Sequence, residues 1–102
     1  MNLYFFEDAK AEFNSTVFYY EDRQPGLGKR FRDEVAHVLS RIIQDPLLWR
    51  ERKGGYRRVN LPVFNHYIAY IIDADIIHVV AVASSSQNPD YWKSRLISKG
   101  ER

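Results

Sequence analysis

The sequence predicts a single α+β domain in the order β-α-α-β-β-β(-α), with a helical hairpin packed on one face of a small antiparallel sheet. Three observations predict it. Apolar residues recur at helical spacing in two successive segments before Pro46. From Tyr56 onward the apolar period changes to that of strands. Helices and strands therefore fall in separate blocks, the pattern of segregated helices on an antiparallel sheet. The chain has 102 residues, which sets an expectation of one domain over 1–102. Hydrophobic residues make up 45%, enough for a packed core.

Leu3–Phe6 is a short apolar run and reads as a strand. Ala9, Phe13, Val17 and Tyr20 then mark one face of a first helix, with Glu7 and Asp8 at its start, where acids suit the helix dipole. Gln24-Pro25-Gly26 stops it. A second helix begins near Leu27 or Gly28. Phe31, Val35, Val38, Leu39, Ile42 and Ile43 form its stripe, and Asp45-Pro46 ends it. The short connection makes the two helices an antiparallel hairpin.

Leu47–Gly55 is a charged loop ending in a double glycine. Tyr56–Leu61 is a strand interrupted by Pro62, which cannot donate to a ladder. Phe64–Ile72 is a second strand, and Asp73-Ala74-Asp75 turns it into Ile76–Ala83. That last strand is apolar on both faces and is expected to be central. Ser84–Asn88 is a polar loop, Tyr91–Ile97 a short helix, and Ser98–Arg102 a frayed end.

There are no cysteines, which excludes disulfides, thiolate metal sites and a cysteine nucleophile. The N-terminus MNLYFFEDAK has neither the basic region nor the apolar run of a signal peptide. The most apolar stretch, around Tyr67–Ala83, is broken by Asp73, Asp75 and His78 and falls short of a membrane helix. The expectation is a soluble, cytoplasmic protein with no cofactor and no membrane partner. Net charge is only +2 but uneven: Arg50, Arg52, Lys53, Arg57 and Arg58 stand against the single acid Glu51. Such a patch suits an acidic partner, protein or nucleic acid.

Several local patterns resemble the RelE/ParE toxin superfamily, closer to the ParE side. The resemblance runs from Tyr4 to Arg95. It rests on Ala9, Glu12 and Tyr20-Glu21 in the first helix, and on Gly26-Leu27-Gly28-Lys29-Arg30-Phe31, matching GLG.RF. It continues in Gly55-Tyr56-Arg57-Arg58-Val59, in the strands beginning at Phe64 and Ile76, and in Pro89-Asp90-Tyr91-Trp92 with Arg95, matching P.YW..R. Two motifs depart. Asn65 and His66 stand where the family has Pro and Tyr, and Ser84–Asn88 lacks the usual His and Arg.

The resemblance implies a toxin of a type II toxin–antitoxin system that binds and poisons DNA gyrase and is neutralised by a cognate antitoxin. It implies no catalytic activity of its own. The residues expected to bind the target are exposed aromatics and arginines, the hot-spot types: Trp49, Arg50, Arg57, Arg58, Tyr91, Trp92 and Arg95. Tyr91 and Trp92 equally suit a packing role, pinning the C-terminal segment to the sheet. Arg57 and Arg58 alternate along a strand and so face opposite sides.

Two alternatives stand beside this reading. One is a RelE-like ribosome-dependent mRNA endoribonuclease, with ribosome and mRNA as partners. It would draw its acid, base and phosphate-binding groups from His66, Arg58 and Tyr91. The other is an inactive toxin-like module that still binds a partner protein.

Overall fold

The computed structural model describes residues 1–100. Its elements are β1 (Asn2–Phe5), α1 (Glu7–Arg23), α2 (Leu27–Gln44), β2 (Arg57–Asn60), β3 (His66–Asp73), β4 (Ile76–Ser84) and α3 (Asp90–Gly100). The α+β class and the element order are those expected. Of the anticipated frayed end, Ser98–Gly100 continue α3, and Glu101 and Arg102 lie outside the described residues.

The helical hairpin forms as its periodicity requires. Phe31, Val35, Val38 and Ile42 of α2 are buried against Ile68, Tyr70, Ile77 and Val79 of the sheet. Each such side chain contributes on the order of 2 kcal/mol by leaving water. The connection between the helices is fixed by a residue of the first. The Glu21 carboxylate accepts the backbone N–H groups of Gly26 and Gly28 at 2.9 and 3.0 Å. It thereby caps an α2 N-terminus that has no side-chain cap of its own. At Gly28 the helices lie too close for a side chain: a Cβ there would stand 2.5 Å from the Val17 carbonyl oxygen.

The strand order is β1-β4-β3-β2. β4, β3 and β2 form an antiparallel meander, as expected. β1 adds to it in parallel, with Asn2 opposite Ile76 and Phe5 opposite Val79, so the sheet as a whole is mixed. β3 starts at His66 rather than Phe64, because the N–H groups of Val63 and Phe64 are taken by the Glu34 carboxylate of α2 instead of a neighbouring strand.

The hairpin covers one face of the sheet and α3 covers the other. On the α3 side, Trp92 is fully buried with Tyr56, Tyr67, Ala69, Ala81 and Ala83. Its indole N–H donates to the Tyr67 hydroxyl at 2.8 Å. β4 carries a bulge: Tyr70 faces Val79 and Ala69 faces Ala81, leaving Val80 unopposed. Among the described residues no helix is long and apolar enough to cross a membrane.

Candidate functional site

Three surfaces hold the residues that carry chemistry. The first is an open groove of about 580 Å³ between α1 and the ends of β3 and β4. It is lined by Ser15, Thr16, Tyr19, Tyr20, Asn65, His66, Ser84 and Gln87, none of them cationic. His66 is half-buried beside the rings of Tyr20 and Phe31. Its Nδ1 lies 3.4 Å from the Tyr20 hydroxyl. Burial holds the His66 pKa below its ordinary value and that of Tyr20 above, so both are neutral near neutral pH.

The second is a polar hub at the open edge of β4. β1 ends opposite Val79, so Val80–Ser84 have no strand on that side. Side chains supply the missing partners. Glu12 Oε1 accepts the Val82 N–H at 3.1 Å, and Arg95 Nη1 donates to the Val80 carbonyl at 2.9 Å. Arg95 also grips both Glu12 oxygens at 3.0 Å, the Tyr91 hydroxyl donates to Glu12 at 2.7 Å, and Asp8 stands 3.6 Å from Arg95. Desolvation opposes the Arg95 cation, but the hydrogen bonds and charge of Glu12 outweigh it and raise its pKa. Desolvation, then the Glu12 hydrogen bond and charge, push Tyr91 well above the usual phenol range.

The third is the sheet face around α3. The Arg58 guanidinium lies 3.7 Å from the centre of the Tyr67 ring, with Nε donating to Asn60 at 3.0 Å. The Lys93 ammonium lies 5.8 Å from the centre of Tyr56.

The expected target-binding residues are distributed over these surfaces and the hairpin side. Arg57 points to the hairpin side, where it donates to the Trp49 carbonyl and faces Glu51 at 3.8 Å. Arg58 takes the opposite face, as their alternation requires. Trp49 is partly buried against the core, under Arg41, and Arg50 is exposed. Tyr91 is 41% exposed, whereas Trp92 has no exposed surface and Arg95 is committed to the hub. Among the ribonuclease candidates, His66 and Tyr91 border adjoining parts of one groove. Arg58 lies on the α3 face, across the sheet from His66, and lines neither part of that groove.

The comparisons with known proteins agree with this architecture. The family described as ParE toxin of type II toxin-antitoxin system, parDE, matches residues 3–89. The chain belongs to the ParE toxin family. Among solved structures it is similar to a chain of the chromosomal ParDE TA system from P. aeruginosa, with a TM-score of 0.61 and 12% identity. That likeness covers 82% of this chain and 95% of the other and concerns the fold. No curated protein matches the sequence.

Within this ParE-family fold, two residues central to the hub carry signals that residue type alone did not raise. Asp8 and Glu12 sit four apart and so share one face of α1, yet the arginine that answers them lies 83 positions beyond Glu12. Lys93, on the α3 face, follows Trp92 directly and belongs to the same surface as Arg58 only because Tyr56, Tyr67 and Trp92 pack together.

Proposed function

We propose that this ParE-family chain is the toxin of a two-component pair, that it acts by binding DNA gyrase, and that a cognate antitoxin neutralises it in the cytoplasm. The observation that carries the reading is the dispersal of the groups a ribonuclease would have to bring together. Cleavage of RNA needs an acid and a base flanking one phosphate, with cationic charge on its oxygens. The His66 groove offers a neutral imidazole with no Lys or Arg in its lining, Arg58 is across the sheet, and Arg95 is held by Glu12. A binder needs no such convergence.

The target-binding set then divides by what each side chain is free to do. Arg50, Arg58 and Tyr91 reach solvent and are the contacts proposed for the target. Trp49 and Arg57 brace the loop before β2. Trp92 and Arg95 hold α3 in place and act on binding through it. The antitoxin is proposed to cover the hairpin, where Phe18 and Tyr19 stand 75% and 54% exposed on α1.

Induction of the gene alone in a bacterial host tests the proposal, following growth, message integrity and the DNA-damage response together. Growth arrest with the damage response on and messages intact is expected, with relief on co-expression of the antitoxin. Arrest with cut messages would assign the ribonuclease instead. No arrest would leave a partner-binding module without toxicity.

A further inference from the structure

The charged segment before β2 does not behave as one patch in the folded chain. Arg57 turns to the hairpin side and takes the segment's only acid, Glu51, with it. With Arg50 set apart before the turn, what remains is Arg52, Lys53 and Arg58, and the fold adds Lys93 to them. Among the described residues none of these four has a carboxylate within salt-bridge distance.

They are joined by a continuous aromatic floor. Arg58 stacks on Tyr67, Tyr67 bonds to Trp92, Trp92 meets Tyr56 edge-on at 4.9 Å, and Lys93 lies over Tyr56. Arg52 and Lys53 belong to the tight turn that leads into Tyr56. It is closed by Arg52 N–H to Tyr56 carbonyl at 2.7 Å and Gly55 N–H to Arg52 carbonyl at 2.9 Å. The turn lies against α3: a Cβ on Gly54 would stand 3.9 Å from Leu96. Arg58 and Lys93 thus sit on a packed support formed by β2, β3 and α3, and Arg52 and Lys53 on the turn beside it.

We propose that this face binds the phosphate backbone of duplex DNA. Unpaired cations on a fixed surface supply the counterion-releasing contacts that drive such binding. The choice of duplex over single strand follows from burial. Single strands are held largely by bases stacked on exposed aromatic rings. Here Tyr56, Tyr67 and Trp92 are 7%, 1% and 0% exposed, so no ring of the floor is open to a base. Only charge is presented, and charge reads the backbone and not the sequence. The inference goes beyond the gyrase reading and does not depend on it, since it concerns this chain and DNA alone.

The test is fluorescence anisotropy of the purified full-length chain with a labelled duplex of about 20 bp, between about 50 and 200 mM salt. Four phosphate contacts predict a slope of log affinity against log salt between about −3 and −4. Lys53→Gln, Arg58→Gln and Lys93→Gln should each reduce its magnitude by about 1, whatever the DNA sequence. Lys29→Gln, on the hairpin, should leave it unchanged. Lys53 is exposed at a turn, so its variant keeps the test valid even if Arg58→Gln disturbs the packing on Tyr67. Absence of duplex binding at the lowest salt, a slope indifferent to Lys53 and Lys93, or tighter binding of single-stranded RNA of the same length would overturn the proposal.

Discussion

Glu12 on α1 and Arg95 on α3 are joined by two parallel hydrogen bonds of 3.0 Å across 83 residues of sequence. The pair sits where β4 has outrun β1, and each partner also bonds the exposed edge of β4, at Val82 and Val80. Side chains here do the work of an absent strand. They satisfy the edge, and they tie the helix on one side of the sheet to the helix on the other.

Glu12→Ala should therefore lower stability by about 2–4 kcal/mol, because it strands the Arg95 cation and the Val82 N–H in a mostly buried site. Urea denaturation measures the loss. Native-state fluorescence should shift to the red as α3 loosens and Trp92 meets water. A variant as stable as the parent would show that the hub is decorative.

Gly28→Ala separates helix propensity from helix packing. Propensity alone predicts stabilisation of up to about 1 kcal/mol. The 2.5 Å approach of a new Cβ to the Val17 carbonyl predicts the opposite sign, a loss of about 1–3 kcal/mol as the hairpin is forced apart. The sign of the change in urea midpoint decides between them.

Trp92→Ala should cost about 3–5 kcal/mol, as expected for a fully buried ring. Trp92→Phe should cost less while leaving the Tyr67 hydroxyl without its donor, a penalty of about 1–3 kcal/mol. Arg58→Ala, at a half-buried surface position, should leave the circular dichroism spectrum unchanged. If both Trp92 variants kept native stability, its placement in the interior would be wrong.

Periodicity made most of this fold legible. The stripe Phe31–Val35–Val38–Ile42 announces α2, and the two-residue period with Asp73-Ala74-Asp75 announces the β3–β4 hairpin. A contact distant in sequence sets the start of β3: the Glu34 carboxylate, 30 residues away, withdraws Phe64 from the strand. β1 gave no sign of its parallel neighbour, because four residues carry no register of their own. The site was less legible than the fold. Selecting Trp and Arg by type brought together Arg58, at the surface, with Trp92, in the core, since residue type does not specify burial. Glu12, a common helix residue, gains its role only from what the topology brings to it.

His66 gives the stability a pH dependence of defined sign. Its folded pKa lies below the ordinary 6.5 because of burial, so the unfolded chain binds its proton more readily. Stability contributed by neutral His66 is complete above about 6.5 and falls as pH drops toward the folded value. Urea midpoints compared at about pH 7.5 and about pH 5.5 should show this fall, and His66→Phe should reduce it. An unchanged pH dependence in His66→Phe would assign the effect to other groups.

The gyrase reading is tested most directly with purified components. Supercoiled plasmid, DNA gyrase and ATP are incubated with the purified chain, and cleaved DNA is trapped by detergent and protease. The expectation is linear plasmid that accumulates with added toxin and is suppressed by Arg58→Ala. Gyrase that supercoils at its normal rate without cleaved product, at toxin concentrations that arrest growth, would contradict it.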